Sequence, residues 1–132
     1  MTEAHWQLLA EAAKSACANA YCRYSGFAVG AAVLTGEGTI ASGCNVENAS
    51  FGLTLCAERN AVFRAITDGA TSIVALVIYT PTMEPVAPCG ACRQVLAEFG
   101  RAVTIRAMCA GTARNDYTLD ELLPRRFSLP PR

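Results

Sequence analysis

The sequence is organised around two stretches, GCNVENASFGLTLCAER at residues 43–59 and PCGACRQ at residues 88–94. Cys89 and Cys92 have the Cys-x-x-Cys spacing, which lets one turn of backbone direct two sulfur atoms at the same ion. Cys56 adds a third thiol, so a tetrahedral zinc ion held by these three residues keeps one position for water. Structural zinc sites usually close with four protein ligands, and the pattern therefore favours a catalytic site.

Glu58 follows Cys56 by two residues and is predicted to act as a proton shuttle. From that position its carboxylate can reach a water molecule on the metal without itself binding the metal. The single histidine, His5, belongs to an N-terminal helical pattern and is a poor fourth ligand. The competing interpretation, a non-enzymatic structural zinc module, is disfavoured because three cysteines beside a glutamate have no fourth partner.

Two further motifs accompany these stretches, NVEN at residues 45–48 and YSGFAVGAA at residues 24–32. Together the motifs resemble the small, homotetrameric, zinc-dependent cytidine deaminases, over about residues 21–127. The resemblance implies hydrolytic deamination of free cytidine and 2′-deoxycytidine to uridine, 2′-deoxyuridine and ammonia, with one Zn²⁺ per subunit. It also implies that hydroxide on the zinc attacks C4 of cytosine while Glu58 moves the protons.

The resemblance assigns substrate-binding roles to several residues. Phe27 is expected to line the pyrimidine pocket, although the sequence alone favours a core aromatic at that position. Asn45 and Glu47 lie two residues apart on an extended segment, so their side chains point to one side. The family uses the matching pair for the sugar, chiefly its 3′-hydroxyl, and a carboxylate there repels a nucleotide's phosphate. Ala57 and Ala87 are expected to contact the base through backbone groups.

Two aromatic residues, Phe51 and Phe127, lie where the family supplies side chains from neighbouring subunits to close the pocket. Local core packing is the alternative for both. The chain departs from its relatives at Ala87, where serine is common, and at Arg23, where a small residue or proline is usual. These departures keep a modified cytidine as an alternative substrate. A nucleoside antibiotic such as blasticidin S is a second alternative, and the intact Asn45-x-Glu47 pair favours a plain nucleoside over it.

Arg59 is predicted to compensate the charge of the metal site. Three thiolates on a divalent cation leave one net negative charge, which weakens the metal as a Lewis acid. A guanidinium one turn from Cys56 can donate hydrogen bonds to cysteine sulfur atoms and offset that negative charge. The alternative is an ordinary surface ion pair.

The order of apolar patterns predicts an α/β fold. Helices are expected after a Thr2 cap, from residue 56 to an end near residues 68–69, over residues 89–99 and, after a capping box at residues 118–121, through residue 123. Strands are expected over residues 27–34, 39–44, 72–80 and 103–108. The family resemblance implies a three-layer α/β/α arrangement around a mixed five-stranded sheet. No linker or repeat divides the sequence, so residues 1–132 are expected to form a single cytidine-deaminase-like domain.

The amino-acid composition limits which binding partners are expected. Apolar residues make up 52% of the 132 residues, and a surplus of apolar surface is expected to be buried between subunits. The family resemblance implies that these subunits form a homotetramer. The 11 basic and 11 acidic residues balance, which disfavours nucleic acid as a partner. The partner that the resemblance implies is a small pyrimidine nucleoside. We expect no membrane association and a cytoplasmic location, because the sequence shows neither a membrane-length apolar run nor a signal peptide.

Overall fold

The structure is a computed structural model that describes residues 1–131. Its elements are, in order, α1 (Glu3–Cys17), β1 (Gly30–Thr35), β2 (Ile40–Cys44), a 3₁₀ turn (Phe51–Leu53), α2 (Ala57–Thr67), β3 (Ile73–Thr80), α3 (Gly90–Phe99), β4 (Thr104–Cys109), β5 (Arg114–Thr118) and α4 (Leu119–Leu122). The predicted capping box of Thr118 with Glu121 is present at α4, and Thr2 caps α1 as predicted, where it also forms a capping box with His5. Residues 1–131 contain no helix long and apolar enough to span a bilayer.

The strands form one mixed sheet in the order β2-β1-β3-β4-β5. The β3–β4 pair is parallel and the other three pairs are antiparallel. The central strand β3 contributes Leu76 and Ile78 to one buried cluster and Ala75 and Val77 to another. The first cluster includes residues of α2, α3 and α4, and the second includes residues of α1. The predicted α/β/α arrangement with a five-stranded mixed sheet is therefore confirmed.

The first strand begins at Gly30 and not, as the sequence pattern indicated, at Phe27. Instead of a regular ladder, the side chain of Asn45 pairs with the preceding segment. Its Oδ1 accepts from the Val29 amide at 2.9 Å, and its Nδ2 donates to the Phe27 carbonyl at 2.8 Å. The backbone amide of Asn45 also donates to the Val29 carbonyl at 3.2 Å, so Asn45 holds residues 27–29 through both its side chain and its backbone.

The fifth strand, β5, could not be identified from the sequence pattern. Its residues are Arg-Asn-Asp-Tyr-Thr, and all except Tyr117 are exposed. Because β5 lies at the edge of the sheet, it pairs only with β4 and has no alternation of apolar residues. Its backbone hydrogen bonds to β4, and not its side chains, define it as a strand.

Candidate active site

Three sulfur atoms meet where α2 and α3 begin. Cys56 is the N-cap of α2, Cys89 is the N-cap of α3, and Cys92 lies in the first turns of α3. The sulfur atoms all lie within 4.8 Å of one another, with 3.8 Å between Cys56 and Cys89 and 3.3 Å between Cys89 and Cys92. Two sulfur atoms at the usual bond length from a tetrahedral zinc ion are about 3.8 Å apart. The donor set therefore fits zinc.

Local contacts hold the two helix starts in place. The Asn60 side chain donates to the Cys44 carbonyl at 2.8 Å and ties α2 to the end of β2. The Arg93 guanidinium donates to the carbonyls of Pro88 and Leu122, which fixes the loop before α3. Neither cysteine cap uses its sulfur atom to accept a capping hydrogen bond from the backbone of its own helix, so both sulfur atoms remain available as ligands.

The pKa values of the Cys56 and Cys92 thiols are shifted in opposite directions. Hydrogen bonding from Cys92 and from Arg59 lowers the pKa of the Cys56 thiol to about 5. The same bond to Cys56, together with burial, raises the pKa of Cys92. Thiols bind metal as thiolates, so Cys56 is ready to bind near neutral pH whereas Cys92 must lose its proton.

Arg59 lies against this cluster. Its Nη2 donates to the Cys56 sulfur at 3.5 Å, and its Nε is buried without a hydrogen-bond partner among residues 1–131. None of the ion pairs formed within the described chain includes Arg59. Its position is the one expected of a charge-compensating residue and differs from that of a residue in a surface ion pair.

Glu58 is a buried carboxylate in the first turn of α2, with 5% of its surface exposed. Burial raises its pKa above the usual value for a glutamate. A carboxyl group with a raised pKa exchanges protons closer to neutral pH than an exposed one does. Glu58 therefore combines a position beside the thiols with the acid–base character that a proton shuttle requires.

A cavity of about 330 Å³ opens beside the thiols and Glu58. Its wall contains many of the residues predicted for substrate binding: Phe27, Asn45, Glu47, Ala57 and Ala87, together with Cys56, Glu58 and Cys89. The volume lies within the range of small-molecule sites. Stretches that are separate in sequence thus line one cavity that has a metal-binding cluster and an acid–base group at its wall.

The individual substrate residues differ in their surroundings. Phe27 is 38% exposed and faces the cavity, so it is not the core aromatic that the sequence alone favoured. Asn45 is buried, and both ends of its amide already bond the chain near Phe27. Glu47 accepts hydrogen bonds from Tyr24 and Ser25. The sequence reasoning missed Ser25, although it lies within the YSGFAVGAA motif.

The two aromatic residues assigned to neighbouring subunits are both exposed, Phe51 by 75% and Phe127 by 70%. Local core packing is therefore wrong for both. The Phe51 ring meets Tyr24 edge-on with centroids 6.0 Å apart, near Glu47. Phe127 lies in a separate groove beside α3 and does not line the cavity of its own chain.

Comparison with known proteins supplies an independent finding. The family described as "Cytidine and deoxycytidylate deaminase zinc-binding region" matches residues 3–108. A cytidine deaminase of Halalkalibacterium halodurans is 46% identical over 125 residues, covering 92% of this chain and 93% of that protein. A cytidine deaminase of Mycobacterium tuberculosis is 41% identical over 129 residues, covering 98% and 94%.

Solved structures agree with the sequence relatives. A crystal structure of cytidine deaminase from Burkholderia pseudomallei superposes with a TM-score of 0.88 at 42% identity, covering 96% of this chain and all of that chain. One from Mycobacterium tuberculosis gives 0.82 at 42% identity, covering 94% and 98%. The structural similarity thus extends over most of the chain, and the family match includes both helix starts that carry the thiols.

Proposed function

Because the chain belongs to the cytidine and deoxycytidylate deaminase family, we propose that it catalyses the hydrolytic deamination of free cytidine and 2′-deoxycytidine. The products are uridine or 2′-deoxyuridine and ammonia. The observation that carries this proposal is the buried Glu58 carboxylate at the wall of the cavity that also contains the thiol cluster.

Cys56, Cys89 and Cys92 would hold the zinc ion, one per chain. A zinc ion held there supplies the Lewis acidity that makes water nucleophilic near neutral pH. Arg59 offsets the negative charge of the thiolates by donating to Cys56. The chain's own groups then provide the proton transfers and the orientation of the base.

Glu58 moves two protons in the proposed reaction. As the water oxygen bonds to C4, the Glu58 carboxylate accepts a proton from that water and delivers it to ring N3. It next takes the remaining hydroxyl proton and delivers it to the amine. The C4–N bond then breaks, the C4 carbonyl forms and ammonia leaves. The closeness of this buried carboxylate to the cavity supports both transfers.

The wall residues orient the nucleoside. Phe27 provides an aromatic face for the base, and the backbones of Ala57 and Ala87 are available to its polar edge. Glu47 accepts from a sugar hydroxyl. Asn45 holds the segment of Phe27 and keeps one amide N–H for the sugar, since its other N–H donates to Phe27.

A substrate panel tests the proposal. Purified protein is mixed with cytidine, 2′-deoxycytidine, cytosine and cytidine monophosphate, the ultraviolet absorbance is followed, and zinc is measured on the same sample. We expect deamination of the two nucleosides only, with about one zinc per chain. Zinc without deamination would overturn the proposed substrates and favour a modified cytidine or a nucleoside antibiotic. Deamination of the monophosphate would contradict the selective role of Glu47.

The proposal extends to the assembly of the chain and to its place in metabolism. A homotetramer with sites completed by neighbouring subunits is supported by the exposure of Phe51 and Phe127. A role in cytosolic pyrimidine salvage accords with the nucleoside substrates and with cysteines that are all free thiols in the described chain. Sedimentation velocity on the zinc-loaded protein tests the assembly, and a monomer would contradict it.

A further inference from the structure

The carboxylate of Glu47 is held by the turn that precedes β1. Its Oε1 accepts from the backbone amides of Tyr24 at 2.9 Å and Ser25 at 3.1 Å, and its Oε2 accepts from the Ser25 hydroxyl. Three donors from two consecutive residues therefore fix one carboxylate. These hydrogen bonds restrict rotation of the carboxylate, so the acceptor position that remains for a ligand has a defined direction.

The Ser25 hydroxyl also has a second partner. Its oxygen accepts from the Phe27 amide at 3.0 Å while its proton goes to Glu47. Since its proton is already donated, Ser25 is not a hydrogen-bond donor to a ligand. One hydroxyl thus connects the backbone of the aromatic residue on the base side of the cavity to the carboxylate on the sugar side.

We propose that Ser25 is a positioning residue for sugar recognition, which orients Glu47 so that the cavity accepts a hydroxyl donor. This inference rests on the proposed function, because it assumes that Glu47 meets a nucleoside sugar. An ionised carboxylate accepts hydrogen bonds and donates none, so the fixed Glu47 oxygen selects a neutral hydroxyl group and disfavours a phosphate.

Electrostatics support the same role. The Ser25 hydroxyl, followed by the Ser25 and Tyr24 amides, holds the pKa of Glu47 below its usual value. The other titratable groups on this cavity wall are Cys56, Glu58 and Cys89, and none of them is a hydrogen-bond partner of Glu47. Removing the hydroxyl should therefore let Glu47 take up a proton at a higher pH, which weakens it as an acceptor.

The kinetic test uses the zinc-loaded enzyme with Ser25→Ala and, as the conservative control, Ser25→Thr. For Ser25→Ala we expect the KM for cytidine to rise about tenfold, the size of one charge-assisted hydrogen bond, with kcat within about twofold. In the same variant, the KM for 3′-deoxycytidine, which lacks the hydroxyl, should change less than about twofold. The KM of Ser25→Thr for cytidine should stay near the wild-type value. Equal rises for both nucleosides would overturn the proposal.

A second measurement is independent of activity. Carbon-13 NMR of labelled, zinc-loaded protein follows the Glu47 carboxyl during an acid titration, and thermal melting checks that each variant is folded. We expect the Glu47 midpoint to move to higher pH in Ser25→Ala and to stay at the wild-type value in Ser25→Thr. An unchanged midpoint in a folded Ser25→Ala variant would overturn the proposal. If the wild type deaminates neither nucleoside, the proposed function fails, and this titration alone decides the role of Ser25.

Discussion

At the scale of single residues, a substitution of Glu58 distinguishes the loss of proton transfer from the loss of the metal. Its carboxylate is buried beside the thiols, whereas the exposed Glu11 on α1 offers the same group far from the cavity wall. We expect Glu58→Ala to keep its zinc and to lower kcat at least about a thousandfold, because general acid–base transfer and transition-state contacts are lost together. Steady-state kinetics with zinc analysis measures this, and Glu11→Ala is the control. A mild loss would contradict the assignment.

A substitution of Arg59 tests whether offsetting the negative charge of the thiolates is needed for activity or zinc binding. Arg64 lies on the same helix and is exposed, so it is a matched control for a guanidinium without a sulfur contact. We expect Arg59→Gln to keep the fold but to lower activity at least about tenfold or to lose zinc, as changes beside metal ligands typically do. Activity, zinc content and circular dichroism are compared with Arg64→Gln. Normal turnover at full zinc occupancy would exclude the role.

The residues also show what a sequence can reveal about a site. Cys56, Glu58 and Cys89 could be found because metal and acid–base chemistry restrict residue type and spacing. Ser25 could not, because a serine in a turn is ordinary in sequence and gains its role only when folding brings Glu47 to it. The commitment of Asn45 to backbone partners was hidden for the same reason.

At the scale of elements, the packing of α2 on β2 sets the position of Cys56 and Glu58. A Cβ atom at Gly43 would lie 2.5 Å from the Ala61 amide nitrogen and 2.9 Å from the Ala57 carbonyl oxygen, so α2 would have to move. We expect Gly43→Ala to lower the free energy of unfolding by about 1–3 kcal/mol and to reduce kcat. Urea unfolding and kinetics measure both effects.

Gly52 provides the matched control for this substitution. A Cβ atom there meets no heavy atom within 4 Å, and Gly52 is not among the glycines with positive φ. Gly52→Ala should therefore leave stability within about 0.5 kcal/mol of the wild type. If Gly43→Ala behaved like Gly52→Ala, the close approach of α2 to β2 would not set the position of the site.

The elements themselves were predictable to different degrees. The central strand β3 has a continuous apolar run because both of its faces are covered, and its limits were predicted closely. The edge strand β5 has exposed side chains and is defined only by its hydrogen bonds to β4, so no pattern in the sequence marks it. The start of β1 was predicted too early because residues 27–29 are held by the side chain of Asn45 and a single backbone bond from it, and not by a regular ladder.

At the scale of the whole molecule, two large aromatic side chains that do not line the cavity are exposed. Phe51 lies exposed near Glu47, and Phe127 is exposed in a separate groove beside α3. Large exposed aromatic side chains are typical of surfaces that are buried on assembly. Their exposure is what a site completed by neighbouring chains requires.

Complementation between two impaired variants tests whether the site is shared between chains. Phe127 is exposed, so Phe127→Ala should leave the fold intact and lower activity at least about tenfold by opening a neighbour's cavity, the scale of losing a buried aromatic contact. Co-expressed Glu58→Ala and Phe127→Ala chains should regain activity, because about a quarter of randomly paired sites combine an intact Glu58 with an intact Phe127. The kcat per zinc of the mixed protein is compared with that of each variant alone. No recovery in a mixed oligomer would show that Phe127 acts only within its own chain.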